Sequence, residues 1–386
     1  MRSQTHLADF RELMVQLESE GLLDRHLDGL PDRETLRNRR GVLPGLTRPE
    51  LAVLLAHSKL ALQERLLASA LPDDPFVESY LRNYFPDVIN ARFGQAVRSH
   101  RLRREIIAVE MANALIDTMG TTFVVRVSRD TGSDAATVVR AWTVAATVSA
   151  AAELWAELGN ADPPLPLPAE ARAWAALAAA IERATKWIVE TQPADTAAAA
   201  LSDALATPTR ELLGMLPNVL PPNAQQGLAA ATDAAATEGM PRALAQRIAA
   251  LDRLAELFEI AHIAREADVS HGVVAEIYYR VGELVDLDWV RQGLAELPAE
   301  DRWERRAVEG LTEGLVYARR QLTRDVLLCR QGGGALAACL QEYTETHREQ
   351  LAKLGVLIND IKNAPRATLA ALLVVMREMG RLVGSA

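Results

Sequence analysis

GVLPGLTRPELAVLLAHSKLALQERLLAS opens the stretch Gly41 to Val127, which runs on through DDPFVESYLRNYFP to HRLRREIIAVEMANALIDTMGTTFVVRV. Its reading decides the fold. Thr47 and Glu50 have the spacing of a capping box, in which the hydroxyl accepts from a free amide of the first turn and the carboxylate reaches back. Pro49 is harmless there, because a first-turn amide has no partner to lose. Leu51, Leu54, Leu55, Leu62 and Leu66 follow at helical spacing. One helix of roughly 36 Å over 47–71 is predicted, stopped by Pro72. Asp74 is expected to cap, and Pro75 to open, the next helix.

The pattern continues on both sides. His6 to Glu20 reads as a helix that turns Leu7, Phe10, Leu13, Met14 and Leu17 inward but finds no obvious partner. Asp32 to Arg40 reads as a short basic helix, and Gly41 to Gly45 as a turn. Downstream, Asp87 to Ser99 and Arg101 to Met119 read as helices, and Gly120 suits a helix end that needs a left-handed residue. Thr121 to Val127 has the β-branched content of a strand. No second strand lies nearby to pair with it, so helix is expected. The prolines of Ala161 to Pro168 (ADPPLPLP) mark a linker, and Pro217 to Pro222 and Gly239 to Pro241 mark further breaks. The fold class is therefore all-α.

The chain also resembles itself. DTGSDAATVVRAW (Asp130 to Trp142) and EADVSHGVVAEIY (Glu266 to Tyr278) share a helix, turn, helix pattern. LPAE occurs at Leu167 to Glu170 and again at Leu297 to Glu300, with Trp174 and Trp303 soon after. Met240-Pro241-Arg242 and Ala364-Pro365-Arg366 each open a leucine-rich helix. Landmarks recurring in one order point to a duplicated helical unit. The expected organisation is an N-terminal helical layer over 1–120, a first repeat over 121–257 and a second over 258–386.

Composition narrows the function. A chain of 386 residues with 49% hydrophobic content can bury one or two cores. Cys329 and Cys339 fit no zinc spacing and are expected to be core thiols in a reducing compartment. Asp9, Glu12 and Glu18 interrupt the N-terminal residues in a way a secretory signal does not. Ala141 to Ala152, the longest strongly apolar run, is short of the roughly 20 residues a bilayer needs. A cytoplasmic protein without a membrane partner is expected. Of 42 basic residues only Lys59, Lys186, Lys353 and Lys362 are lysine, and the net charge is −9. That balance argues against a nucleic-acid partner.

GLTRPELAVLLAHSKLAL, LPDDPF, YFP, RLRREIIAVEMANALID and GTTFVVRVSRDTG together resemble the C-terminal helical region of the large-subunit, NAD-specific bacterial glutamate dehydrogenases. Weaker motifs carry the resemblance through Leu287 to Trp303 and into the last helices. The parent it implies oxidises L-glutamate to 2-oxoglutarate and ammonia with NAD as hydride acceptor, and is a homo-oligomer. The partner it implies for this chain is the catalytic domain of the same polypeptide, and the role it implies is structural or regulatory. The catalytic glycine-flanked lysine of that family has no counterpart here, since Lys59 lies mid-helix in AHSKLAL. No GxGxxG follows a strand, and Gly332 to Gly334 reads as a hinge between helices. No catalytic, cofactor-binding or metal residue is carried over, and NAD is expected only in the parent. The alternative is a free-standing helical adaptor or an amino-acid effector module.

Other residues carry chemistry of their own. Arg98, Arg101, Arg103 and Arg104 make a basic spot suited to an anion or to an interface, as do Arg33, Arg37, Arg39 and Arg40. Ion pairs to neighbouring helices or to the catalytic domain are the simpler expectation for both. Ile263 to Glu283 has the outline of a DNA-reading helix-turn-helix, but its second helix offers Val273, Val274, Glu276 and Ile277 where a reader needs basic and polar residues. A buried helical hairpin is expected instead. His262 and Glu266 share a helical face, a weak metal signal and more simply a surface contact. The tryptophans are expected in the core or between helices.

Overall fold

The computed structural model of the protein describes residues 6–39, 45–298, 302–331, 335–364 and 366–383, and every regular element among them is helical. Two compact units divide the chain.

The first unit takes in Met1–Ala206 and Ala235–Ala255. It begins with α1 (Leu7–Ser19), α2 (Arg33–Asn38) and α3 (Arg48–Leu67). Phe10, Leu13, Met14 and Leu17 of α1 are buried in a cluster with Leu54 and Ala61 of α3 and Val125. The first helix thus has a partner that its own sequence did not reveal, because that partner is assembled from separate segments. At the start of α3, the Thr47 amide donates to Glu50 Oε2 at 2.7 Å and the Glu50 amide to Thr47 Oγ1 at 3.4 Å. Arg39 Nη1 adds bonds of 2.8 and 3.0 Å to the same carboxylate.

The helix ends at Leu67, not at Pro72, and spans about 30 Å. Side chains satisfy its last carbonyls: Ser69 Oγ donates to Leu66 O at 2.7 Å, and Arg104 Nη2 to Leu67 O and Ser69 O at 2.9 and 2.8 Å. Two short 3₁₀ turns follow, the second begun by Asp74 Oδ1 accepting from the Phe76 amide at 2.9 Å. They lead to α4 (Glu78–Tyr84) and α5 (Asp87–Arg98). The backbone of α5 is irregular at Phe93, with φ −129°.

α6 (Arg103–Met119) packs on α3 and α4 and buries Ile107, Met111, Leu115 and Ile116. Gly120 closes it at φ 87°. The β-branched segment beyond is helical, as α7 (Phe123–Thr131). α8 (Ala135–Val148) starts where Asp134 Oδ1 accepts from the Thr137 amide at 2.7 Å. Ala150, at φ 52°, then turns the chain into α9 (Ala151–Gly159). α10 (Leu167–Thr191) begins inside the proline-rich linker, with Pro168 in its first turn, where its missing amide costs nothing. α6, α7, α8 and α9 all touch α10. Ala173, Ala180 and Ala184 lie on its buried face, and the absence of bulk there lets neighbouring helices approach closely.

α11 (Ala198–Val219), α12 (Pro222–Thr237), α13 (Arg242–Ala250) and α14 (Leu254–Ala267) follow, and the unit boundary falls within α11, α12 and α14. Pro217, expected to break the chain, lies inside α11. A proline removes one bond of the ladder; Leu212, Leu216 and Leu220, all buried on one side, hold this turn closed. In the first unit α13 packs on α9 and α10.

The second unit comprises Thr207–Ala234 and Glu256–Ala386. It adds α15 (His271–Leu284), α16 (Leu287–Ala295), α17 (Arg302–Gln331), α18 (Leu336–Thr346), α19 (Arg348–Lys362) and α20 (Leu369–Val383). α15, α16, α18 and α20 pack on α17. Val274, Ala275, Ile277 and Tyr278 of α15 are buried, so the face a DNA reader would present is part of the core. Trp142, Trp155 and Trp187 are core residues, whereas Trp303 is 68% exposed. Cys339 is buried, but Cys329 is half-buried and its thiol donates to Glu342 Oε2 at 3.4 Å. Both cysteines are free. The turn at Gly41 to Pro44, the end of the second LPAE, the glycines 332–334 and Pro365 lie outside the described residues.

Among the described residues no single helix is long and apolar enough to cross a membrane. α8 and α9 together pass that test, but the pair is bent by 72°.

The Glu50 carboxylate carries both the α3 cap and the Arg39 pair. Burial opposes its ionisation, but the bonds from Thr47 and Arg39 outweigh this and hold its pKa below the ordinary 4.5. Glu50→Ala is expected to cost about 1–2 kcal/mol in urea unfolding at pH 7. A group with a lowered folded pKa stabilises fully above its unfolded value and loses that effect as pH falls through the folded one. The deficit of the variant should therefore hold above pH 5 and shrink below about pH 4. An unchanged deficit at pH 3 would contradict this account.

Candidate functional site

Three of the four arginines of the basic spot are engaged within the first unit. Arg98 Nε lies 2.9 Å from Glu78 Oε1, and Arg103 Nη1 lies 3.2 Å from Asp73 Oδ1. Arg104, besides taking the carbonyls at the end of α3, lies 3.4 Å from Asp73 Oδ2. Arg101 is exposed and makes no ion pair among the described residues. Of the second basic group, Arg39 serves the α3 cap.

A concavity lies elsewhere in the first unit. It encloses about 730 Å³ between α1, the end of α3, α7 and the start of α8. Glu12, Gln16, Arg65, Ser69, Arg129 and Asp134 give it its polar character. Arg65 Nη2 donates to both carboxylate oxygens of Glu20, at 2.6 and 2.7 Å. Arg129 is the more constrained of the two arginines. Its Nη1 meets Glu12 Oε2 at 2.8 Å and Asp9 Oδ1 at 3.1 Å, while its Nε meets Asp130 Oδ1 at 3.0 Å. Burial disfavours the charged guanidinium, and these carboxylates more than compensate, raising its pKa. Burial likewise pushes Asp9 up, and His6 and Arg129 pull it below 3.8.

The wall is thus balanced in charge, with hydroxyls and one amide between the charges. Such a lining suits a small polar or zwitterionic molecule. No histidine, lysine or cysteine lines it; its titratable groups are the carboxylates of Glu12 and Asp134 and the guanidiniums of Arg65 and Arg129. Sequence reading missed this cavity because its residues come from four separate segments, none of them a motif.

Polar groups in the second unit serve packing. Arg319, buried on α17, donates from Nε to Tyr278 O at 3.0 Å and stacks over the Tyr278 ring at 4.1 Å. Burial disfavours its charge, while Tyr278, Glu256 and Asp288 raise its pKa. Gly282 makes the room: a Cβ there would sit 2.6 Å from Arg319 Nη2. Arg320 pairs with the buried Glu259, and Arg324 with Glu266. His262 Nε2 lies 3.3 Å from Glu266 Oε1, and burial holds its pKa below 6.5. The His262 and Glu266 pair is one link in this ion network. Among the described residues no group of three or more histidine, cysteine or acidic side chains is placed to hold a metal ion.

These features define an all-α domain whose charged groups mostly fasten helices to one another. The family model described as glutamate dehydrogenase, C-terminal, matches residues 44–381. The chain belongs to that family. It is 31% identical to an NAD-specific glutamate dehydrogenase of Pseudomonas aeruginosa over 399 aligned residues, an alignment covering 100% of the chain and 24% of the relative. A protein of the same name from Halomonas elongata is 28% identical, with 99% and 24% covered. One from Mycobacterium tuberculosis is 29% identical, with 95% and 22% covered. The chain spans about a quarter of the length of these curated relatives.

Replacing Arg129 tests how the cavity wall is held. Arg129→Met leaves the Asp9 carboxylate, with its side chain only 13% exposed, without the guanidinium that bonds it at 3.1 Å. A loss of about 1–3 kcal/mol is expected at pH 7. Asp9 has a lowered folded pKa, so the stabilisation Arg129 gives is present above 3.8 and disappears as pH falls through the folded value. Chemical denaturation at pH 7 and pH 3 should show the deficit shrinking at the lower pH.

Proposed function

We propose that this chain is the non-catalytic C-terminal part of an NAD-dependent glutamate dehydrogenase. The parent reaction would be L-glutamate, NAD and water giving 2-oxoglutarate, ammonia and NADH. The observation that carries this reading is the family match over nearly the whole chain, to a segment that makes up about a quarter of each relative. The role proposed for the chain is packing on the catalytic domain of the same polypeptide and shaping a cytoplasmic homo-oligomer. Binding of NAD is assigned to the catalytic domain. A helical domain tied together by arginine pairs suits that architectural role.

We propose also that the domain arose by duplication of a helical unit, and five observations support it. α8, α9 and α10 follow one another as α15, α16 and α17 do, with the long third helix packing on both predecessors. Ala150 and Asp286, both at φ 52°, make the turn into the middle helix. α13 touches α9 and α10, as α20 touches α16 and α17. Thr185 and Thr323 are fully buried, and each bonds the carbonyl four residues back, at 2.8 and 2.7 Å. The ion pair of Lys186 with Asp130, 56 residues apart, has its counterpart in that of Arg324 with Glu266, 58 apart.

The cavity beside Arg129 favours one further reading, a free-standing module that binds an amino acid. Titration calorimetry with arginine and with aspartate tests it. Saturable heat that Arg129→Met abolishes would support the module, and no heat at millimolar ligand would count against it.

Intact-mass measurement of the polypeptide isolated from its native source tests the main proposal. A chain several times heavier than 42.1 kDa is expected. The 386-residue chain alone should form no NADH from glutamate and NAD. NADH formation by the purified chain would overturn the non-catalytic assignment.

A further inference from the structure

The two thiols of the chain meet where α17 and α18 pack on each other in the second unit. Cys329 is the third residue from the end of α17, Cys339 is the fourth of α18, and four residues separate the two helices. The cysteines therefore stand at nearly matching distances from the connection. Cys329 Sγ donates to Glu342 Oε2 at 3.4 Å. Cys339 precedes Glu342 by three positions, which puts both on one face of α18. The Cys329 thiol is also hydrogen-bonded to Cys339, and that contact, burial and the Glu342 carboxylate together push its pKa up to about 12.

The two sulfurs differ in access. Cys339 is 1% exposed, whereas Cys329 is half-buried beside Leu328, which is 67% exposed. A reagent from solvent thus reaches Cys329 first. A single buried thiol behaves as a small apolar side chain, but two thiols in contact can react with each other. Where neighbours disfavour the thiolate, the reduced pair gains little from ionisation, and the balance moves towards the disulfide. Metal binding is the other chemistry open to a thiol pair. Among the described residues the two cysteines and Glu342 do not form a group placed to hold a metal ion.

We infer that Cys329 and Cys339 are a site of reversible oxidation, a dithiol that a low-molecular-weight disulfide converts to an internal disulfide joining α17 to α18. Cys329 sulfur attacks one sulfur of the reagent, forming a mixed disulfide and releasing one thiol. Cys339 sulfur then attacks the Cys329 sulfur, forming the internal disulfide and releasing the second thiol. Two protein thiols are oxidised and one reagent disulfide is reduced, and the two cysteine protons pass to the departing thiolates. Excess thiol runs the same steps backwards. The bond pins the end of α17, on which α15, α16, α18 and α20 pack.

Oxidised glutathione, applied to the native polypeptide and stopped by acid and alkylation, provides the test. Trypsin cuts after Arg330 and so places the cysteines on separate peptides, DVLLCR and QGGGALAACLQEYTETHR. These should appear joined, lighter by two hydrogens than their sum, and exceed the glutathione adduct of Cys329 by about tenfold or more. Dithiothreitol should part them. In urea the ratio of joined peptides to adduct should fall about tenfold, because unfolding removes the proximity of the thiols. Cys339→Ala should accumulate the adduct on Cys329, having no second thiol to displace it. In Cys329→Ala, Cys339 should stay reduced over the same time. Peptides that never join, a lasting adduct on Cys329 in the unsubstituted chain, or a ratio unchanged by urea would each overturn the proposal. Cys339 reacting as fast without Cys329 as with it would overturn the order of attack.

Discussion

Each unit depends on one long helix that its neighbours share. α10 in the first unit and α17 in the second are touched by at least four other elements, so each packed face must admit several helices at once. The two helices meet this demand differently. α10 uses alanine, at positions 173, 180 and 184, where a small side chain shortens the distance between axes. α17 uses buried Arg319, Thr323 and paired Arg320, so close packing there is mixed with ionic contact. Burying a cation is tolerable only when donors and charge are matched. The Tyr278 carbonyl, the Tyr278 ring and the space left by Gly282 provide that match.

The many arginines gain a physical role in this light. A chain made of helices ends in free carbonyls many times, and a planar guanidinium on a long stem reaches them from a neighbouring helix. Arg104 does this for α3. Elsewhere Arg183 Nη2 donates to Asp252 O at 3.0 Å, in a short 3₁₀ turn, and Arg140 donates to Thr196 O in the loop before α11. Composition alone offers coding bias as the simplest account of so many arginines. The contacts show that Arg104 closes a helix end and that many other arginines pair with carboxylates.

Local signals were legible in the sequence to the extent that local chemistry decided the outcome. The Thr47 and Glu50 box, the Asp74 cap, Gly120 and the helical state of Phe123–Thr131 all follow from neighbouring residues. The end of α3 does not, because it is set by Arg104 from far along the chain. The partner of α1 and the cavity were hidden for the same reason: Leu54, Ala61 and Val125, or Glu12, Arg65 and Arg129, come together only in three dimensions. The arginine spot read as one feature from Arg98 to Arg104. It divides in space into three fasteners and the exposed Arg101.

Ala150 carries a consequence for the reach of the most apolar part of the chain. A straight helix through α8 and α9 would reach about 37 Å, enough for the hydrocarbon core of about 30 Å. With the backbone at φ 52°, the run becomes pieces of 14 and 9 residues, about 21 and 14 Å long, bent by 72°. Neither piece reaches across a bilayer. One left-handed residue thus divides an apolar stretch into two helices that can each pack on α10.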